Sequence, residues 1–167
     1  MSAEPSGFVH SLVNPRLVFT GLEAGSLEEA LSELARKISA AGIVQDAADL
    51  TRRLLERERL GCTGLGGGIA IPHCKLKEID ELVLCVASYP RGVDFGAPDG
   101  IAVTLVFLIL SPAQAPALHL QALARISRLL RGPGVAESFR SASTPEELVA
   151  ALRDAESATV PAGRSST

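Results

Sequence analysis

Three side chains in this sequence carry an imidazole: His10, His73 and His119. An imidazole titrates near neutral pH, so it can act as a nucleophile, move a proton or hold a metal. His73 follows Pro72 directly, at the end of the short apolar stretch Ile69-Ala70-Ile71. Just upstream lies Gly61–Gly68, with five glycines in eight residues. Glycines without side chains let another molecule's backbone come close, and a loop histidine at a strand end is open to a partner. A surface histidine on a turn is an equally good reading from position alone. His119 falls in the first turn of an expected helix, where the helix dipole disfavours imidazolium and favours bound anions. As a member of that helix's apolar stripe, it reads more simply as a partly buried core residue. His10 sits near the N-terminus, carries no signal and is read as surface.

Two familiar glycine-rich chemistries are excluded. A dinucleotide fingerprint needs its glycines between a strand and a helix, whereas here they follow a helix and precede a strand. A Walker loop needs Gly-Lys-Ser/Thr, which the stretch lacks. Cys62, His73 and Cys74 do not form a zinc set, because there is no Cys-x-x-Cys pair and no clear fourth ligand. No metal and no cofactor are expected, and Cys62, Cys74 and Cys85 read as fillers of small buried spaces.

The elements around these residues follow from hydrophobic period and caps. Ser26 stands three before Glu29, and Leu27, Ala30, Leu31, Leu34, Ile38 and Ala41 recur at helical spacing, so a helix is expected over Ser26–Ala41. A second is expected over Ala47–Arg59, a third over Pro116–Leu130 opening on Pro116, and a last over Pro145–Ala155 behind Thr144. The glycine stretch suits no regular element. Ile69–Ile71 is a short strand candidate closed by Pro72, while Glu81–Tyr89 and Ile101–Leu110 read as strands buried on both faces. Pro90–Gly100, with its glycines and prolines, reads as a turn or loop. Alternating helices and strands make one α/β domain.

Composition excludes whole classes. At 167 residues with 47% apolar and 21% charged side chains, the chain has material for one packed core and is not disordered throughout. Sixteen Lys and Arg against 19 Asp and Glu leave a net charge of −3. A nucleic-acid or anionic-membrane protein needs a basic surplus, and with no Trp and one Tyr there is little to stack bases on. Neither a basic, apolar leader nor a run long enough to span a bilayer is evident, so a cytoplasmic protein with reduced thiols is expected.

The arrangement as a whole says more than its parts. Arg57-Glu58, then Thr63-Gly64-Leu65-Gly66, then Ala70-Ile71-Pro72-His73 strongly resembles the mannitol/fructose/nitrogen-regulatory class of enzyme IIA domains of the phosphoenolpyruvate-dependent phosphotransferase system. A second matching block, Gly92-Val93-Asp94-Phe95, leads into the strand Val103–Leu110 and through Pro112 to His119-Leu120. The likeness spans roughly residues 8–153. It departs from the family at Cys62, where Ser is frequent, at Gly67, where a polar residue is common, and at Cys74, where Gly is common. Cys74 beside His73 suggests a site sensitive to oxidation.

Between the small, polar ends at 1–7 and 156–167, which read as flexible termini, the resemblance implies a mixed β-sheet flanked by helices on both faces and a phosphotransfer domain over residues 8–155. It implies that His73 takes a phosphoryl group through Nε2 from the phosphocarrier HPr or its nitrogen-branch relative. It makes His119 a hydrogen-bond donor to a phosphoryl oxygen and Arg57 the active-site arginine, a role that helix-end position alone would not suggest. Thr63, Gly64 and Gly66 would shape the rim of the phosphate site. His73 and His119 should then meet at one shallow, largely apolar patch suited to a protein-sized donor. Two functions follow: a nitrogen-type regulatory enzyme IIA, favoured because no IIB, IIC or HPr segment is fused, and a fructose/mannitol-type carrier passing phosphoryl groups to enzyme IIB. A small hydrolase using the same three residues lacks an evident Ser or Asp nucleophile and a metal site.

Overall fold

The structure, a computed structural model, describes residues 8–159. Helix α1 (Phe8–Leu12) leads into strand β1 (Val13–Phe19), and two helices follow, α2 (Leu27–Ala40) and α3 (Ala47–Leu60). Next come three short strands, β2 (Gly64–Gly66), β3 (Ile69–Ala70) and β4 (His73–Leu76). The long strands β5 (Val83–Val93) and β6 (Val103–Pro112) precede α4 (Pro116–Leu130), α5 (Val135–Arg140) and α6 (Pro145–Thr159).

The helix starts obey capping chemistry. Ser26 accepts from the Glu29 N–H at 3.1 Å, Asp46 from the Asp49 N–H at 3.0 Å and Thr144 from the Glu147 N–H at 3.2 Å. Each satisfies a backbone donor that the first turn leaves open and contributes about 1 kcal/mol.

One six-stranded mixed sheet carries the order β1-β5-β6-β3-β2, with β4 also paired to β6. β6 is the axis: antiparallel to β5, and parallel on its other edge first to β3 and then to β4. Its side chains alternate between the two faces. Val106, Leu108 and Leu110 join Leu31, Leu34 and Ile38 of α2 and Leu50 and Leu54 of α3 in one core. Leu105, Phe107 and Ile109 join Ile126 of α4, Phe139 of α5 and Leu148 and Leu152 of α6 in the other. The helices therefore cover both faces, which explains why β6 reads as an unbroken apolar run.

Several expectations need correction. The glycine stretch does hold a strand: Gly64 and Gly66 pair with Ala70 and Ile69 in an antiparallel hairpin. Its turn consists of Gly67 and Gly68, which with Gly66 have φ of +65° to +89°, a conformation that favours glycine. His73 is not on a loop but opens β4, opposite Ile109 of β6. β5 runs on to Val93 through the expected Pro90 loop, with its pairing irregular between Ser88 and Val93. The C-terminal segment expected to be flexible from 156 is helical through Thr159. Glu156 is buried, and its carboxylate accepts the N–H groups of Val9 and His10 in α1, which ties that end down. Residues 1–7 and the remainder of the C-terminal segment lie outside the described residues. No helix among the described residues is long and apolar enough to cross a membrane.

Candidate active site

Three elements converge at the end of the sheet. β4 holds His73 against β6, α3 brings Arg57 in its last turns, and α4 begins four residues after β6 ends and carries His119 in its first turn. The imidazoles of His73 and His119 lie 5.2 Å apart, centroid to centroid, tilted by 53°. Arg57, half-buried, donates from Nε to His73 Nε2 at 3.2 Å and from a terminal nitrogen to the Gly61 carbonyl at 3.0 Å.

The backbone sets the state of His73. Its Nδ1 sits 2.7 Å from the carbonyl oxygen of Ile71. A carbonyl only accepts, so Nδ1 carries the proton and Nε2 keeps a free lone pair, consistent with its accepting from Arg57. Pro72 holds the chain extended between Ile71 and His73, so residue 71 can reach back under the ring of residue 73. Burial pushes the His73 imidazole below its ordinary 6.5; the Ile71 hydrogen bond opposes this, and the charge of Arg57 adds to it. The ring is therefore neutral and nucleophilic at physiological pH.

His119 is more deeply set, 6% exposed, and its Nδ1 lies 2.6 Å from the hydroxyl of Ser111. Burial, and then the charges of His73, Lys75 and Arg57, lower its pKa to about 4. It is a neutral donor or acceptor, not a cation.

Thr63 is buried beside the site. Its N–H donates to Glu58 at 3.2 Å, its hydroxyl donates to the same carboxylate, and its carbonyl accepts the Ile71 N–H at 3.0 Å. Thr63 thus holds Ile71, the residue between β3 and β4 whose carbonyl orients His73. Gly64 and Gly66 belong to the hairpin, and the Cβ direction of Gly66 faces the Asp99 carboxylate rather than an imidazole. His10 lies away from these groups, near Arg153. Burial pushes the Cys74 thiol up to about 12, which disfavours the thiolate that oxidation beside His73 would use. Among the described residues no cluster of His, Cys, Asp and Glu could hold a metal ion.

Two residues escaped sequence reasoning. Glu58 is visible only as the neighbour of Arg57, yet its carboxylate clamps Thr63. Ser111 is the one signal the apolar run could have offered: a polar residue next after Leu110, buried completely, eight residues before its partner His119.

Residues 11–155 match the family model for the phosphoenolpyruvate-dependent sugar phosphotransferase system, EIIA 2. A nitrogen regulatory protein of Bradyrhizobium diazoefficiens is 40% identical over 144 residues, covering 86% of this chain and 94% of that protein. The fructose-specific EIIA component of Haloferax volcanii is 37% identical over 134 residues, covering 76% of this chain and 87% of the relative. The crystal structure of nitrogen regulatory protein IIA-Ntr from Neisseria meningitidis superposes with a TM-score of 0.80 at 29% identity, covering 86% of this chain and 98% of that one. With a mixed sheet covered on both faces, two facing imidazoles and an arginine on one of them, the chain belongs to the enzyme IIA family of the phosphoenolpyruvate-dependent sugar phosphotransferase system.

Proposed function

We propose that this chain is a cytoplasmic phosphoryl carrier of the nitrogen-regulatory type, accepting its group on Nε2 of His73 from a phosphorylated HPr-like carrier. The observation that carries this reading is the unprotonated Nε2, kept so by the Ile71 carbonyl on the other ring nitrogen, with its lone pair directed at the Arg57 N–H. In the transfer the lone pair forms a new N–P bond as the donor's N–P bond breaks and that electron pair returns to the donor imidazole. No proton has to leave His73, because the attacking Nε2 is unprotonated and the ring proton stays on Nδ1, donated to the Ile71 carbonyl. The Arg57 N–H that Nε2 accepts turns to the phosphoryl oxygens as the bond forms. Positioning and charge stabilisation are the protein's main tasks in such a step. Arg57 supplies a fixed positive charge with several donors in a plane that suits phosphate oxygens. His119 supplies a neutral donor within one ring's reach.

Added charge at His73 would then alter the surface that regulatory partners read. The similarity to nitrogen regulatory proteins supports this assignment, whereas the fructose-specific relative supports a second reading, delivery to an enzyme IIB for sugar uptake.

The test is intact mass after incubation with phosphoenolpyruvate, enzyme I and general or nitrogen-branch HPr. Wild type should gain one acid-labile phosphoryl group and His73→Ala none. No gain with either HPr overturns the carrier reading. Rapid loss of the group to a sugar-specific IIB, with none of the regulatory behaviour of the nitrogen branch, would favour the second reading.

A further inference from the structure

The two facing histidines are chemically the same ring, and nothing in their common side chain says which attacks and which donates. What lies against each Nδ1 differs. Under His73 it is a carbonyl, which has no proton to give. Under His119 it is the hydroxyl of Ser111, which can donate or accept.

The buried state of Ser111 decides between these options. Its side chain is fully excluded from solvent, so its hydroxyl proton needs an acceptor inside the protein. The Nδ1 of His119, 2.6 Å away, is in position to be that acceptor. If Nδ1 carried a proton instead, it would spend that proton on the Ser111 oxygen and leave the hydroxyl proton competing for the same short contact. An unused lone pair on a buried hydroxyl costs less than a buried donor with no acceptor.

We infer that Ser111 is a positioning residue: its hydroxyl donates to His119 Nδ1 and so keeps the single ring proton of His119 on Nε2. His73 and His119 are thereby held in opposite tautomers, Nδ1–H for the first and Nε2–H for the second. The consequence is a division of labour. His73 offers a lone pair at Nε2, and His119 offers a donor at the same ring position. Were both Nε2 atoms bare, His119 would repel phosphoryl oxygens and compete as a second nucleophile. The low basicity of His119 makes tautomer choice matter, because a ring that stays neutral has only one proton to place.

The part of this inference that concerns catalysis rests on the carrier reading, while the tautomer itself does not. Imidazole nitrogen spectra of the isotopically labelled full chain near neutral pH read the tautomer directly, without any donor protein. Wild type should show opposite tautomers for the two residues, assigned with His73→Ala and His119→Gln. Ser111→Thr, which keeps the hydroxyl, should keep the Nε2–H pattern, and Ser111→Ala should replace it with a mixture of tautomers.

In the mass assay Ser111→Ala should slow phosphorylation of His73 by about tenfold, the cost of one lost donor, with Ser111→Thr restoring most of the rate. A merely structural role would change stability without moving the nitrogen shifts of His119. Nδ1–H at His119 in wild type, or an unchanged His119 spectrum in Ser111→Ala, overturns the inference. Absence of phosphorylation in wild type with the opposite tautomers present would sink the carrier reading and leave the tautomer assignment standing.

Discussion

Acid should weaken this fold through the imidazoles of His73 and His119, both held below their ordinary value by burial, and the share of His119 can be sized. The unfolded chain takes up a proton on that ring around pH 6.5, whereas the folded protein holds it off until about 4, chiefly through burial. Between those values the unfolded state binds more protons, so stability falls as the pH falls. The folded pKa is the depressed one. The contribution is therefore complete above about 6.5 and gone once the pH has dropped through about 4. At about 1.4 kcal/mol per pH unit the gap amounts to about 3 kcal/mol, a large fraction of the stability of a domain this size. Carboxylates lose stability in acid too: Asp49, held low first by its hydrogen bond from Arg52, and Asp99, held low first by the Ile101 N–H. The informative quantity is accordingly a difference between two proteins. Urea unfolding of wild type and His119→Gln, followed from about pH 7 to about pH 4, isolates the ring. Wild type should lose about 3 kcal/mol more than the variant across that window. Parallel curves would refute the account, because they would mean that His119 takes its proton as readily folded as unfolded.

Three further outcomes follow from single contacts. Arg57→Lys keeps a positive charge but loses the planar fork that reaches both His73 Nε2 and the Gly61 carbonyl; phosphorylation of His73 should slow about 100-fold with little change in stability. Gly92 has a φ of +78°, and a Cβ there would lie 2.7 Å from the Ala102 Cβ, so Gly92→Ala should cost about 2 kcal/mol in urea unfolding. Gly96, with a φ of +67° and open space around it, should cost only about 1 kcal/mol on the same change; equal losses would show that the close approach does not matter. Cys74, its thiol pushed up to about 12 by burial, should be alkylated at least about 100-fold more slowly in the native protein than in urea. Peroxide should likewise leave phosphorylation of His73 unchanged, and inhibition reversed by thiol would contradict this.

Local signals were enough wherever an element's own side chains carry its pattern. α2, α3 and α4 have a helical period and a cap, or Pro116 at the start, and their observed bounds lie within a residue of those expected. β5 and β6 announce themselves because both of their faces are buried. The missed elements lack such patterns. β1 contains Pro15 and Arg16 and is a strand because β5 pairs with it. β4, His-Cys-Lys-Leu, has no alternation worth reading and is a strand because β6 supplies its hydrogen bonds. α5 is six residues long and begins behind Gly134 in a left-handed conformation, too short for a period to show.

The same division runs through the site. The sequence alone determined the family likeness, the α/β class and which imidazoles and which arginine to consider, because those depend on residue types in order along the chain. It also placed Pro72 beside His73, and that local constraint already brings the Ile71 carbonyl under the ring. Only the tertiary structure decided that His73 and His119, forty-six positions apart, face each other at 5.2 Å, because β4 and α4 must both dock on β6 to bring them there. It alone decided the clamp of Glu58 on Thr63 and the pairing of Ser111 with His119. Hydrogen bonds of this kind depend on distance and direction in space, and burial, which sets the protonation of both rings, exists only once the chain has folded.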